Sequence, residues 1–152
     1  MDISFRRFRR SDALIVSGMI KGLYSEDPSG KTMTDEKIRS TFAQLGEHSE
    51  QGTIMVLEKD GRTVGYSILV NYWSNEYGGN ILFLDELYVI PSERRSGIGS
   101  EFIGYLKEKR PYGSVAILLE VHPRNVLACN FYGRAGFRPS RYDHYVLELS
   151  GH

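Results

Sequence analysis

The sequence predicts a mixed α/β domain built around a central β-sheet, and three observations carry that expectation. Apolar residues recur at helical spacing from about residue 15 to 45, then alternate as in strands from about residue 53 to 90. A Gly-x-Gly segment directly follows the longest apolar strand and opens a helix. Another strand and another helix come after it, so that strand, glycine loop, helix, strand and helix form the middle of the chain.

Taken in order, Ile3 to Arg9 alternates Ile3, Phe5 and Arg7 against polar neighbours, a short first strand. Ser11 or Asp12 caps a helix to about Tyr24, whose apolar positions Ile15, Met19, Ile20 and Leu23 share a face. The stretch SEDPSGKTMT, punctuated by Pro28 and Gly30, breaks it. Thr34 or Asp35 caps a second helix carrying Ile38, Phe42 and Leu45. Thr53 to Glu58 reads as a strand, Asp60-Gly61 as a hairpin turn, and Thr63 to Tyr72 as the returning strand. After the loop SNEYGG, Asn80 to Ile90 is the central strand, ended by Pro91. Ile98, Phe102, Tyr105 and Leu106 mark the buried face of a helix that stops before Pro111. Val115 to Val121 is a strand, and Asn125 caps a helix to about Ala135 that Gly136 ends. From Phe137 onward, Tyr145, Leu147 and Leu149 alternate as a last strand pair. The predicted order is β-α-α-β-β-β-α-β-α-β-β in a single domain over residues 1–152, with Asn80 to Val121 a parallel crossover.

Composition narrows the function. Nineteen Lys and Arg balance 19 Asp and Glu, which argues against nucleic acid as the partner. The single cysteine, Cys129, fits a reducing compartment and cannot build a Cys-rich metal site. The N-terminus has basic residues with no apolar run behind them, and no stretch reaches the roughly 18 apolar residues of a membrane helix. The expectation is a soluble, cytoplasmic protein with no membrane, nucleic-acid or metal partner.

The segment Arg94-Arg95-Ser96-Gly97-Ile98-Gly99-Ser100 is an anion site in outline. First-turn N–H groups lack intrahelical acceptors and sit at the positive end of the helix dipole. Gly97 and Gly99 let the backbone approach a phosphate, and the two arginines add forked donors. The expected ligand is a diphosphate. A dinucleotide fingerprint would need glycine where Phe102 stands, and a P-loop would need a GxxxxGK that is absent.

Arg94-x-x-Gly97-x-Gly99 after a strand, with Pro91 before it, resembles the pyrophosphate motif of the GNAT N-acetyltransferase superfamily, Q/R-x-x-G-x-G/A. Asn125, Ala128, Phe131-Tyr132 and Gly136-Phe137 resemble its second signature, N-x-x-A-x-x-F-Y-x-x-x-G-F. The resemblance implies acetyl-CoA as co-substrate and a sheet whose central strand splays from its neighbour. It implies that Leu87, Tyr88 and Val89 pair with the pantetheine arm, that residues 94 to 100 hold the pyrophosphate, and that Asn125, Phe131 and Tyr132 line the arm and the thioester. It also suggests a homodimer through the C-terminal strands, which no residue here proves.

Acyl transfer to an amine must deprotonate the ammonium, stabilise a developing oxyanion and protonate the departing thiolate. Tyr132 is the candidate acid, and the resemblance assigns the oxyanion to the N–H of Val89. Asp85 and Glu86, adjacent acids in the apolar run FLDELYV, are the candidate bases; strand alternation puts them on opposite faces, and a structural salt bridge or an exposed strand end is the competing account. His122 and His144 are weaker candidates, and Cys129, with no His motif beside it, is not read as a nucleophile.

The run Asp85-Glu86-Leu87-Tyr88-Val89, with Glu26 and Asp27 after the first helix, loosely resembles the diamine and polyamine acetyltransferases. Glu26, Asp27, Glu76, Asp85 and Glu86 would then line a negative pocket for a small cationic amine, with Tyr72, Trp73 and Tyr77 as walls. The alternative is a non-catalytic acyl-CoA-binding module of the same fold.

Overall fold

The computed structural model describes residues 1–27 and 30–150, so Pro28 lies outside the described residues. The chain forms two compact units, Met1–Glu120 and Val121–His152. The first holds five strands, β1 (Ile3–Arg7), β2 (Gly52–Lys59), β3 (Arg62–Ser74), β4 (Gly79–Val89) and β5 (Ala116–Leu119), in the spatial order β1-β2-β3-β4-β5. It also holds α1 (Ala13–Ser25), α2 (Asp35–Glu47) and α3 (Ile98–Lys109). Pairing is antiparallel except between β4 and β5, which are parallel, as a helical crossover demands.

Asp60-Gly61 makes the tight β2–β3 turn, with both residues at positive φ (51° and 78°), the geometry such hairpins need. Along β2, Ile54 and Val56 face one side of the sheet and pack with Val16, Met19 and Ile20 of α1 and Ile38 of α2. On the opposite side Phe5, in register with Leu57, stacks edge-on against Phe102 of α3 at 5.2 Å. Each fully buried aliphatic side chain of these layers contributes about 1.5–3 kcal/mol.

The predicted helix faces need one correction. Ile15 is 52% exposed, and Val16, fully buried, takes the core position instead. Leu14 and Ile15 fit the same spacing one step round the helix, and only the direction of the sheet selects between them. Asp12 stands at the N-cap position of α1 without capping it. Its carboxylate instead accepts two bonds from Arg6, both 2.8 Å, and one from the Arg9 N–H at 2.7 Å, tying β1 to the start of α1. These bonds, Arg6 first, hold the Asp12 carboxyl below its usual pKa. Thr34 caps α2 as expected, accepting from the Lys37 N–H.

The second unit holds α4 (Val126–Arg134), capped by Asn125 through its side-chain oxygen and the Ala128 N–H and followed by Gly136 at φ 104°. The expected last strand pair does not form: no strand follows α4 among the described residues. Tyr145, Leu147 and Leu149 are each at least 84% exposed. Alternation says which face an extended segment would bury, but a strand also needs a neighbouring backbone to pair with, and none pairs here. The fifth strand is likewise shorter than predicted, Ala116–Leu119 rather than residues 115–121.

Candidate active site

The site in the first unit begins with an interruption in β4. Ile68 pairs with Glu86 and Leu69 with Leu84, so Asp85 is an extra residue, a β-bulge. The bulge cancels the simple alternation predicted for the acid pair. It turns Glu86 toward the α1 face, opposite Ile68, and leaves Asp85 partly open to solvent.

At the same point β4 loses a neighbour. Its ladder with β5 stops at Leu84–Leu119, whereas its ladder with β3 continues to Val89. The Ile90 N–H bonds to Val64 of β3, so by alternation the main-chain groups of Leu87 and Val89 point to the open edge. An extended, polar backbone edge of this length fits an amide-bearing chain that pairs like a strand.

The open edge leads into the glycine loop. A 3₁₀ turn at Pro91–Glu93 is followed by Arg95 at φ 65° and Gly97 at φ 90°, and α3 starts at Ile98. A non-glycine residue in the left-handed region costs about 1–2 kcal/mol and tends to mark functional loops. Gly97 has no side chain to cap the helix, so the N–H groups of Ile98, Gly99 and Ser100 are left for an outside acceptor. Their orphan donors and the dipole suit a diphosphate. The loop is braced from behind. Ser96 donates to the Glu93 carbonyl at 2.6 Å, and the Glu93 carboxylate binds Lys59 at 2.7 Å and Arg62 at 3.4 Å on either side of the β2–β3 turn.

The acids are differently placed. Glu86 accepts from the Tyr24 hydroxyl at 2.6 Å and from the Tyr66 hydroxyl at 2.7 Å, one on each carboxylate oxygen. Asp85 has a carboxyl pushed up to about 6, first by partial enclosure in the protein, then by the negative charge of Glu86 and of Glu120. Tyr24, Tyr66 and Glu120 were missed in the sequence. No spacing links Tyr24 to Glu86, 62 residues apart, and Glu120 reads as the end of a strand.

The remaining expected residues fall in three places. Tyr88 is buried between β4 and α1, its hydroxyl close to Gly22. Glu26, the C-cap residue of α1, pairs with Arg94, and Asp27 follows it on the surface. Trp73, Glu76 and Tyr77 lie at the tip of the β3–β4 hairpin. Trp73 pairs with Asn80, and Asp85 lies five residues further along β4, about 17 Å at roughly 3.3–3.4 Å per residue. The structure therefore does not gather these three with the acid pair, because the hairpin extends away from the bulge.

In the second unit, Tyr132 is half-buried between Phe131 and Phe137, with ring centroids 5.1 and 5.6 Å away. Burial raises its phenol above the usual value, so it stays protonated at neutral pH. Cys129 donates weakly to the His122 carbonyl at 3.8 Å, and the His122 ring accepts from the Arg124 N–H.

The profile of the Acetyltransferase (GNAT) family matches residues 19–137. A peptidyl-lysine N-acetyltransferase of Escherichia coli, YiaC, is 32% identical over 82 residues, a match spanning 54% of this chain and 47% of that protein. An uncharacterized N-acetyltransferase of Bacillus subtilis, YhfO, is 22% identical over 97% of this chain and 98% of its own. Among solved structures, a possible acetyltransferase from Clostridium difficile superposes with a TM-score of 0.84 at 22% identity, covering 98% of this chain and 99% of that one. The structure of AAC(6')-Iy with a CoA-containing bisubstrate analog superposes at 0.81 with 14% identity, covering 99% and 100%, a likeness of fold. With its glycine loop, its splayed β4 and the profile match over most of its length, the chain belongs to the Acetyltransferase (GNAT) family and is, by that family, an acetyl-CoA-dependent N-acetyltransferase.

Proposed function

We propose that this protein moves an acetyl group from acetyl-CoA to a small cationic primary amine by direct transfer. The observation that carries the reading is the β4 edge, left without a neighbouring strand from the bulge to Val89 and leading through a 3₁₀ turn to the uncapped start of α3. The residues fit the donor: the Leu87 and Val89 main chain would hold the pantetheine arm, and Arg94, Arg95 and the N–H groups from Ile98 to Ser100 the diphosphate. The thioester supplies the activated acyl group. Asn125 and Phe131 are proposed along the arm by their place in the family signature.

Asp85 serves as the base. Its pKa of about 6 leaves it ionised at neutral pH yet basic enough to accept a proton. Glu86, with both oxygens taken by tyrosines, is a fixed negative charge beside it. Glu120 adds to the negative field, which suits a cationic acceptor. By their places in the family pattern, Tyr132, kept protonated by burial, is the proposed acid for the departing sulfur, and the Val89 N–H the proposed oxyanion donor. A cytoplasmic setting is in keeping with the single cysteine. The exposed Tyr145, Leu147 and Leu149 are apolar surface that a second copy would cover, which supports a homodimer.

The acceptor has a second reading, a lysine side chain in a peptide, favoured by the match to the E. coli peptidyl-lysine enzyme. Thiol release from acetyl-CoA, measured across polyamines, diamines, aminoglycosides, amino acids and lysine peptides, separates the two. Turnover confined to lysine peptides would replace the small-amine reading. With the accepted amine, Tyr132→Phe is expected to keep acetyl-CoA binding and lose about 10²-fold or more in kcat. Unchanged kcat would remove Tyr132 from the chemistry.

A further inference from the structure

Arg94 is not free to meet a diphosphate. Its Nε donates to the Val89 carbonyl at 2.7 Å, and its Nη2 donates to Glu26 Oε1 at 2.5 Å. Its guanidinium carbon lies 5.2 Å from the centre of the Tyr88 ring. Val89 belongs to the β4 edge that β5 leaves open, so the guanidinium caps an acceptor on the same edge the acyl donor would use. Among the described residues Arg95 makes no comparable side-chain bond, so the tether is particular to Arg94. Glu26 is anchored at the end of α1, where its N–H bonds to the Leu23 carbonyl at 3.1 Å.

We propose that Glu26 is a positioning residue that competes with the acyl donor for Arg94 and thereby weakens acyl-donor binding. In the free protein Arg94 neutralises Glu26 and covers the Val89 carbonyl. The diphosphate draws Arg94 away, because a guanidinium fork matches phosphate oxygens and meets more charge there than on one carboxylate. The pair it leaves is a surface one, with side chains 39% and 43% exposed, and such pairs are weak in water. Departure of Arg94 opens the Val89 carbonyl and returns a negative charge to Glu26, at the end of the helix that also supplies Tyr24 to Glu86. This inference rests on the acyl-CoA reading above and adds a residue to it.

The test is calorimetric titration of acetyl-CoA, without any amine, into the wild-type chain and into Glu26→Gln and Glu26→Asp. Glu26→Gln removes the competing charge and is expected to bind acetyl-CoA about two- to fivefold more tightly, the size of an exposed ion pair. Glu26→Asp keeps the charge and should return toward wild type. The gap between wild type and Glu26→Gln should close at high salt, where exposed pairs are screened. A purely structural role for Glu26 predicts neither the gain nor its salt dependence. Equal or weaker binding by Glu26→Gln, with wild type binding normally, overturns the proposal alone. Failure of the wild-type chain to bind acetyl-CoA overturns the acyl-CoA reading and this proposal with it.

Discussion

At the scale of single residues, two adjacent carboxylates in one strand have separate fates because their neighbours differ. Glu86 meets two phenol donors, which occupy both of its oxygens. Asp85 meets partial enclosure and then two other negative groups, which disfavour ionisation and push it up to about 6. A group with a raised carboxyl pKa is protonated below that value and ionised above it. Activity that needs Asp85 as base should therefore fall as pH drops through about 6, with a limb on the kcat/KM profile near that pH. Asp85→Asn is expected to lose about 10²-fold or more in kcat and to abolish the limb. A limb near pH 6 that survives in Asp85→Asn would assign the base elsewhere. The acid pair itself was legible in the sequence, since charge inside FLDELYV requires an explanation. Which member does the work was not, because Tyr24 and Tyr66 arrive from a helix and another strand.

At the scale of elements, the site is made by two defects in an otherwise regular sheet. The bulge at Asp85 re-aims Glu86, and the end of the β4–β5 ladder one residue earlier exposes the main chain of Leu87 and Val89. Both need the neighbouring β3 ladder to hold firm, and at Gly65 that ladder leaves no room for a side chain. A Cβ at Gly65 would land against the Tyr88 carbonyl oxygen, backbone that cannot swing aside. Gly65→Ala should force β3 and β4 apart and destabilise the fold by about 1–3 kcal/mol, as over-packing of a closed contact does. Because the same shift displaces Tyr88 and Val89, acetyl-CoA affinity should fall in parallel, measurable by chemical denaturation and titration on one sample. Stability and affinity both unchanged would show that the ladder relaxes without cost. The splay was expected only through family resemblance. Residue patterns name strands, but the point where two strands part depends on the length of β5, which is only Ala116–Leu119.

At the scale of the whole molecule, a ligand that binds only the folded chain stabilises it by mass action. At 100 times its dissociation constant, acetyl-CoA should add about 2.7 kcal/mol, a rise in melting temperature that NAD at the same concentration should not produce. An equal shift with both would indicate an unspecific anion effect at the start of α3. What the sequence by itself determined was local: the Asp60-Gly61 turn, the Thr34 and Asn125 caps, and the glycine start of α3. Each depends on residues within a few positions of one another, and each formed where expected. The tertiary structure decided the rest. It chose Val16 over Ile15 for the core, set Glu86 between two tyrosines, tied Arg94 to Glu26, carried Trp73 and Tyr77 away from the acid pair, and left residues 137–150 without a strand. The physical reason is that conformational preference and periodicity act along the chain, whereas burial, strand pairing and the fields that shift a pKa act through space, between residues whose separation in sequence carries no signal.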